Sequence, residues 1–365
     1  MAFWSATKRE RPPQTQALGS VSTSEQTSAP NLSDSAGGIP PSPLRRRFRQ
    51  AAATGRLNEL GLAVALIVLI VILSNRTPFF LTTPNILNIG RAIAITGIVA
   101  AVTTLVLIAG ELDLSIGATI AMGGIAAAKA LEAGAPLGVV LFVGAGAGLL
   151  IGLTNAVFIV FIGVNALMMT IASAFVWRGV GFIWTDGNAV NTFGHSGFAF
   201  LGQNDVLGGV PASVVLVLGV FVVVGFTLSF TKFGSHIYAI GGSQSAARLA
   251  GVAVPRVRVI VYCLSGISAA FAGVLLASSS GSANPISGTG IELTIIGAVI
   301  LGGTSLTLGR GTVVGTFLGV VFLGALVNGM NLLGLAAYWQ IFIQGVALVI
   351  AVTIDEIVRK RLVGG

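Results

Sequence analysis

The 365-residue chain has few charged residues, one cysteine and two histidines. Charged side chains make up 9% of it, whereas soluble domains carry about 25%, so a water-soluble globular protein is not expected. The single cysteine, Cys263, excludes an intrachain disulfide and any multi-cysteine metal site. With only His195 and His236, a histidine metal cluster is not expected either, and we predict no metal site.

A phosphate-binding loop is also missing from the sequence. The chain's four lysines are Lys8, Lys129, Lys232 and Lys360. None of them follows a glycine, so there is no Gly-Lys-Ser/Thr motif of the kind that holds nucleotide phosphates. The chain is therefore not expected to hydrolyse ATP by itself or to carry a cofactor.

Long apolar runs dominate what remains, since 54% of the residues are hydrophobic. Runs such as 214–226 and 341–352 are unbroken, whereas a transmembrane β-barrel would show alternating segments of about ten residues. A helix needs roughly 20 apolar residues to cross about 30 Å of hydrocarbon. The sequence therefore predicts an all-α polytopic membrane protein with about ten transmembrane helices.

The first 56 residues differ in composition from the rest, being rich in Ser, Thr, Gln, Pro and Arg. Such a segment buries too little apolar surface to offset its ordering entropy, so we expect a disordered basic tail at 1–56. A transmembrane domain at 57–355 and a cytoplasmic C-terminus at 356–365 follow. The predicted helices are 57–75, 86–109, 116–132, 136–162, 165–184, 210–230, 257–279, 291–303, 311–333 and 337–355.

The positive-inside rule orients these helices. Sixteen of the 20 Lys and Arg residues fall in the tail, in 231–258, at Arg310 and at 359–361, and the loop near 185–209 has none. Both termini are therefore predicted to be cytoplasmic, which requires an even number of crossings. This uneven distribution argues for membrane lipid rather than nucleic acid as the partner of the +8 charge. The two histidines fall on opposite sides, so no nucleophilic catalytic residues are predicted.

Two stretches suggest an internal repeat. One begins at Glu111 and the other at Glu292, and each reads Glu-Leu, then Gly-Ala-x-Ile, then Gly-Gly. Glycines at four-residue spacing recur at Gly144, Gly148 and Gly152 and at Gly311, Gly315 and Gly319. An inverted repeat of the kind found in transporters is one interpretation. Chance recurrence in a chain with 50 glycines is the other, and tight helix packing explains the glycines in either case.

Three carboxylates beside predicted helix ends need an explanation, because charge at membrane depth is unfavourable. These are Glu111, Asp113 and Glu292. Asp113 and Ser115 are plausible N-caps of the third helix, which is the structural interpretation. The functional alternative is that these polar groups line a water-filled path and bind a hydroxylated solute.

The predicted cytoplasmic loop at 231–257 contains a short helix. Gly241 and Gly242 are expected to break the chain, Ser243 to cap a two-turn helix over 243–250, and Gly251 to end it. So short a helix needs packing from elsewhere. Its small apolar face and the projecting Arg248 suit docking into a groove of another protein, although a helix lying on lipid headgroups would look similar.

Four blocks resemble the permease subunits of ribose-, xylose- and galactose-type ATP-binding-cassette importers. They lie at 111–117, at 238–251, at 301–311 and at 328–340, where the last begins Asn-Gly-Met-Asn-Leu-Leu-Gly and ends in Trp-Gln. The resemblance covers about 60–355. Three positions depart from the usual pattern: Glu111, Leu308, and Asn165 with Ala166 in place of a proline.

The resemblance implies a bacterial inner-membrane sugar permease subunit that is not itself an enzyme. Its partners would be a second permease copy, a cytoplasmic ATPase subunit that binds the ATP, an external sugar-binding protein and the sugar. The expected ATPase-coupling residues are Gly241, Gly242, Ser243, Ala247, Arg248 and Gly251. Further candidates for the path are Asn155, Thr170, Ser282, Asn284, Asn328 and Asn331. An ion-coupled secondary transporter, and an importer of a branched amino acid or nucleoside, remain as alternatives.

Overall fold

The computed structural model describes residues 56–206, 208–306 and 308–363. The tail predicted at 1–56 therefore lies, apart from its last residue, outside the described residues. The helices are α1 (Arg56–Arg76), α2 (Thr83–Ile108), α3 (Ile116–Glu132), α4 (Leu137–Ala156, continued by a π-helical turn over Val157–Ile162), α5 (Ala166–Thr185), α6 (Ser196–Gln203), α7 (Ala212–Phe230), α8 (Lys232–Gly242), α9 (Gln244–Leu249), α10 (Val254–Ser280), α11 (Ile291–Leu301), α12 (Val313–Leu332) and α13 (Ala337–Val363).

Extended structure is limited, within the described residues, to two pairs of two-residue strands. β1 (Val190–Asn191) pairs antiparallel with β4 (Ser282–Ala283). β2 (Asp205–Val206) pairs antiparallel with β3 (Val210–Pro211). These strands join loops, and Val190 and Ala283 are buried in an apolar cluster with residues of α3, α4 and α10.

Every predicted helix is present, and the prediction of an all-α polytopic membrane protein is confirmed. Among the described residues, seven helices are long and apolar enough to cross a membrane: α1 from Glu59, α2, α4 with its π-helical turn, α5, α7, α10 and α12. α11 and the segment Ala337–Ile350 of α13 are shorter apolar helices. Ten crossings remain a prediction, because helices below membrane length could enter without spanning.

Several boundaries differ from the sequence prediction, and two short helices lie outside the predicted set. α13 continues to Val363, eight residues beyond its predicted end, and includes most of the segment expected as a C-terminal tail. α6 and α8 fall in segments predicted as loops. α5 begins after Asn165, whose side chain accepts hydrogen bonds from the N–H groups of Leu167 and Met168. Asn165 therefore fills the N-cap position at this helix start.

α10 and α2 lie at the centre of the packing. α10 packs against α2, α3 and α4, and α2 packs against α7, α11 and α12 as well. The half of α2 from Ile98 to Ile108 is buried throughout. We call α3, α4 and α10 the first packing unit and α11, α12 and α13 the second.

The glycines at four-residue spacing permit close backbone approach in both units. A Cβ at Gly148 of α4 would overlap the carbonyl oxygen of Gly266 in α10, and a Cβ at Gly266 would overlap that of Gly148. In the second unit, a Cβ at Gly319 of α12 would overlap the carbonyl oxygen of Ala298 in α11. In lipid such close packing takes the place of a hydrophobic driving force, so the predicted structural role of these glycines is confirmed.

The two Glu-Leu stretches do not occupy matching positions in their helices. Glu111 precedes α3 by five residues of non-helical chain, whereas Glu292 is the second residue of α11. The following Gly-Ala pair starts at the second residue of α3 but at the seventh of α11. The internal repeat therefore remains a prediction, and its alignment by these motifs does not match the helix starts.

Candidate functional site

The segment predicted as a cytoplasmic loop forms two short helices, α8 and α9. Thr231 separates α7 from α8, and its hydroxyl accepts the N–H of Gly234. Gly241 and Gly242 are the last two residues of α8, so the expected break in the chain lies directly after them, where the backbone is extended. Gly241 also packs against the backbone at Ile108, where any Cβ would overlap the carbonyl oxygen. Close approach explains this glycine.

The short helix predicted over 243–250 is confirmed as α9. Ser243 has an extended backbone with φ −164°, and its Oγ accepts the N–H of Ala246 at 3.3 Å. Gly251, with φ +84°, follows the helix in the left-handed conformation that favours glycine. Ala247 is the one residue of α9 that is buried, at 3% exposure, whereas Leu249 is 91% exposed and Arg248 is also exposed. α9 is thus attached through one small side chain and presents an uncovered surface.

α8 is also tied to the loop before α12. The Tyr238 hydroxyl donates to the carbonyl oxygen of Gly311 at 2.8 Å, and the Thr312 hydroxyl donates to Glu59 at the start of α1. Burial, and then the negative charge of Glu59, raise the pKa of Tyr238 above its ordinary value. The hydroxyl therefore stays protonated and keeps its hydrogen bond at physiological pH.

Glu111 lies in the connection between α2 and α3 and is 5% exposed. Arg258, the fifth residue of α10, donates through Nε to Oε1 and through Nη2 to Oε2, the second bond at 3.2 Å. The buried Tyr262 hydroxyl donates to Glu111 Oε2 at 2.8 Å and lies 3.2 Å from the carbonyl oxygen of Leu112. Glu111 is therefore a paired structural charge, and its carboxylate does not face an open path.

Asp113 accepts hydrogen bonds from two segments. Its Oδ1 accepts the N–H of Ser115 at 2.9 Å and the Ser115 hydroxyl at 2.5 Å. Its Oδ2 accepts the Ser265 hydroxyl of α10 at 2.6 Å. Ser115 is the N-cap residue of α3, but its side chain does not cap the helix. The expected Ser115 cap is therefore wrong, because that hydroxyl is directed to Asp113.

Asn155 of α4 completes this buried polar cluster. Its amide nitrogen donates to Ser115 Oγ at 2.9 Å. Its Oδ1 has no hydrogen-bond partner among the described residues. Predicted candidates Asp113, Ser115 and Asn155 are thus brought together, joining α3, α4 and α10 through one network of hydrogen bonds.

Glu292 differs from the other two carboxylates. Its Oε2 is buried and has no hydrogen-bond partner among the described residues. It packs against Gly117 of α3, where a Cβ would overlap that oxygen. Arg178 of α5 extends into the same region and donates to the carbonyl oxygens of Pro285 at 2.8 Å and Ser287 at 3.3 Å. Arg178 thereby holds the loop that leads into α11.

The remaining candidates are dispersed. Thr170 is buried and donates to Ala166, one turn earlier on α5. Ser282 lies in β4, and the Asn284 side chain accepts the N–H of Ile286. Cavities lie beside both units: one of about 790 Å³ is lined by the π-helical turn after α4 and by residues of α10, and two others lie between α11 and its neighbours. The larger of these two, of about 630 Å³, lies between α11, α12 and α13, and the smaller, of about 200 Å³, lies between α2, α11 and α12.

Asn328 and Asn331 of α12 line the smaller cavity. Asn328 exchanges two amide hydrogen bonds of 2.9 Å with Asn85 of α2. Asn331 accepts a bond of 2.7 Å from Gln340 of α13. Among the predicted path residues, these two both join neighbouring helices by hydrogen bonds and line a cavity.

Sequence reasoning did not single out Arg258, Tyr262, Ser265, Arg178 or Asn85 as site residues. Arg258 could have been sought as a partner of Glu111, because a carboxylate at membrane depth requires a cation or several hydrogen-bond donors. Arg258 was counted only as one positive charge of a loop. Its partner lies 147 residues away in sequence, and no local pattern reports such a pairing.

Comparison with known proteins gives a consistent result. The chain is 38% identical to the ribose import permease protein RbsC of Bacillus subtilis over 303 residues, 83% of this chain and 94% of that protein. It is 38% identical to RbsC of Escherichia coli K12, covering 86% and 97%. It is 36% identical to the L-arabinose ABC transporter permease protein AraH of Azospirillum brasilense, covering 84% and 89%. No solved structure matches the chain significantly.

A family model described as the permease component of the branched-chain amino acid transport system matches residues 85–352. The matched region runs from the first turn of α2 into α13 and includes α8, α9 and the Glu111 network. The chain belongs to this family of transport-system permease components.

Proposed function

We propose that this chain is the membrane permease subunit of an ATP-binding-cassette importer and forms the path of a monosaccharide across the bacterial inner membrane. Relatives that match most of its length are named as ribose and L-arabinose permeases. The structural observation that carries the proposal is α9. Six residues of helix, held by Ala247 and exposing Arg248 and Leu249, form a projection that needs a partner for its stability.

The partner proposed for α9 is a cytoplasmic ATPase subunit. This places both termini and the 231–257 segment in the cytoplasm, in agreement with the distribution of Lys and Arg. On the opposite side an external sugar-binding protein delivers the solute. A second copy of this chain completes the path, because the exposed apolar residues of α4, α5 and α7 leave large surfaces for lipid or a second subunit.

Transport proceeds by alternating access in this proposal: the solute enters from outside, the helices rearrange as the ATPase closes, and release occurs inside. A neutral sugar requires a few hydroxyl-binding groups and weak overall binding, so that release is not prevented. Asn328 and Asn331, at the wall of the smaller cavity, are the proposed contacts. Asp113 and Ser115 are hydrogen-bonded to each other and to α10 and α4, whereas Asn155 uses its amide nitrogen on Ser115 and has an unpartnered Oδ1 among the described residues.

A branched amino acid as the solute is the nearer alternative, favoured by the description of the family model. An ion-coupled secondary transporter is the more distant one, and would need a carboxylate that takes up and releases a cation. Glu111 and Asp113 have firm partners, which leaves Glu292 as the carboxylate with a free buried oxygen among the described residues.

The test is uptake by proteoliposomes that hold the chain with its ATPase and solute-binding protein. We expect uptake of labelled ribose or arabinose that requires ATP, and loss of solute-stimulated ATPase activity in Arg248→Glu, because reversing that charge disrupts docking of α9. Arg76→Glu, the same change at the exposed far end of α1, is the control and should retain activity.

Three outcomes would overturn parts of this proposal. Uptake that continues without ATP and stops when an ion gradient is dissipated would favour the secondary transporter. ATP-dependent uptake of leucine but not of pentoses would keep the machinery and change the solute. Full coupling in inserted, folded Arg248→Glu would contradict the docking role of α9.

A further inference from the structure

The chain on either side of α9 contacts the end of α2 or the non-helical connection that follows it at 109–115. On the N-terminal side, Gly241 of α8 packs against the backbone at Ile108, the last residue of α2. On the C-terminal side, Arg258, the fifth residue of α10, binds Glu111 in the connection. The exposed helix α9 lies in the chain between these two contacts. A displacement of α9 therefore acts both at the start of this connection and within it.

The two contacts differ in the forces that they resist. The packing of Gly241 against a carbonyl oxygen resists compression, since overlap rises steeply at short distance, but it offers little resistance to separation. The Glu111–Arg258 pair has two hydrogen bonds in parallel and resists separation. Arg258 is 19% exposed and Glu111 6% by side chain, so water screens the attraction weakly. Of these two contacts, the ion pair is the one that can pull on the connection.

The connection leads directly to the buried polar cluster. Two residues after Glu111, Asp113 is bonded to Ser265 of α10, and Ser115 is bonded to Asn155 of α4. A movement of Glu111 is thereby transmitted to the start of α3 and to its contacts with both neighbouring helices. Tyr262, one turn after Arg258 on α10, holds the same carboxylate through its hydroxyl.

We propose that Glu111, Arg258 and Tyr262 form a clamp that makes the connection between α2 and α3 follow α9 when an ATPase subunit moves it. These are positioning residues, and no contact with solute is assigned to them. The inference rests on the proposed function, and it adds the element that receives the motion and the residues that transmit it.

The experiment measures the amount of solute imported per ATP hydrolysed in proteoliposomes that hold the complete transporter. We expect Glu111→Gln to lower this ratio at least about fivefold, the lower end of typical coupling between linked sites. Glu132→Gln is the matched control, because it removes a carboxylate of α3 from a half-exposed pair with Lys129 at the other end of that helix. The control should keep the wild-type ratio.

Two further variants separate a clamp from a merely structural pair. Exchanging the charges in E111R/R258E should restore most of the ratio, because Tyr262 lies one turn from position 258 and can donate to a carboxylate there. Tyr262→Phe removes one hydroxyl and leaves the ion pair, so we expect a smaller loss than in Glu111→Gln.

The outcomes are distinguishable from those of the proposed function. If wild-type uptake does not require ATP, the proposed function fails and the clamp fails with it. If wild-type uptake requires ATP and folded Glu111→Gln keeps the wild-type ratio, the clamp alone is wrong. If Glu111→Gln lowers the amount of inserted protein but the surviving protein keeps the ratio, the pair stabilises the fold and transmits nothing.

Discussion

The two packing units share close helix contacts at glycines but differ in the hydrogen bonding of their buried carboxylates. In both, glycines bring helix backbones into direct contact, Gly148 with Gly266 in the first unit and Gly319 with Ala298 in the second. In the connection that leads into the first unit, the carboxylates of Glu111 and Asp113 accept hydrogen bonds from α10 and, for Asp113, also from Ser115. In the second unit, Glu292 Oε2 lacks a hydrogen-bond partner among the described residues.

Space does not follow the same division. The two cavities beside α11 involve the second unit, but a cavity of about 790 Å³ is lined by Phe161 and by Pro255 and Val259 of α10 in the first unit. The Oδ1 atom of Asn155 in α4 also lacks a hydrogen-bond partner among the described residues. The difference between the units therefore concerns their carboxylates, which donors from α10 hold in the first unit but not at Glu292 Oε2.

The largest loss of stability is expected at the close glycine contacts that both units share. Gly148→Val places a branched side chain against the backbone of α10, which cannot move away as a flexible side chain can. Overpacking typically costs about 1–3 kcal/mol, and we expect Gly148→Val to lose about 3 kcal/mol of stability or more. The measurement is the yield of inserted protein and its thermal unfolding in detergent.

Gly146→Val is the matched control, because no atom lies within 4 Å of a Cβ at Gly146 on the same helix. Gly319→Val extends the comparison to the second unit and should be as harmful as Gly148→Val. If Gly319→Val is tolerated while Gly148→Val is not, the second unit is looser even at its backbone contacts, and the difference between the units is larger than the charges alone indicate.

An intermediate loss of stability is expected at the buried carboxylates, in which the two units differ. Asp113→Asn removes the charge that accepts bonds from Ser115 and Ser265, and should destabilise the protein by about 1.5–3 kcal/mol, as for hydrogen bonds to charged groups. Glu292→Gln keeps the volume of a side chain whose Oε2 has no hydrogen bond, so its unfolding temperature should change much less.

Thermal unfolding of the two purified variants in one detergent makes this comparison directly. Glu132→Gln, which removes one charge of a half-exposed pair, sets the baseline, since such pairs contribute about 0–1 kcal/mol. A larger loss in Glu292→Gln than in Asp113→Asn would contradict the inference that the more firmly held carboxylate is Asp113.

Much of the fold could be predicted because membrane helices leave strong local signals. Apolar runs located ten helices, and the Ser243 cap with the left-handed Gly251 located α9. α8 was missed for a physical reason: glycines often interrupt helices, whereas Gly234 packs against the backbone of α7 and Gly241 against that of α2 at Ile108. Local propensity alone does not separate these two uses of glycine.

The site was predicted less completely, because its chemistry depends on contacts between distant segments. The sequence pointed to Glu111, Asp113 and Glu292 as unusual at membrane depth but treated them alike. What separates them is the arrival of Arg258, Tyr262 and Ser265 from α10, each about 150 residues away along the chain. Only tertiary packing decides which carboxylate receives a partner.

The smallest effect tests whether the polar groups of the second unit serve structure or solute. Asn328 and Asn85 exchange two hydrogen bonds, so each single alanine variant removes both. Such bonds between membrane helices average about 0.6 kcal/mol in double-mutant cycles, so we expect a coupling of about 1 kcal/mol between the two positions. The two variants should therefore lose similar stability, measured by thermal unfolding.

Their effects on transport should differ, because Asn328 lines the smaller cavity and Asn85 is not among the residues that line it. If Asn328 binds solute, Asn328→Ala raises the KM for uptake while Asn85→Ala, with the same hydrogen bonds lost, leaves it near the wild-type value. Equal KM values in the two variants would assign Asn328 to helix pairing alone. The second unit would then need another polar group for its solute, and Asn331, on the same cavity wall and one turn further along α12, is the next position to test.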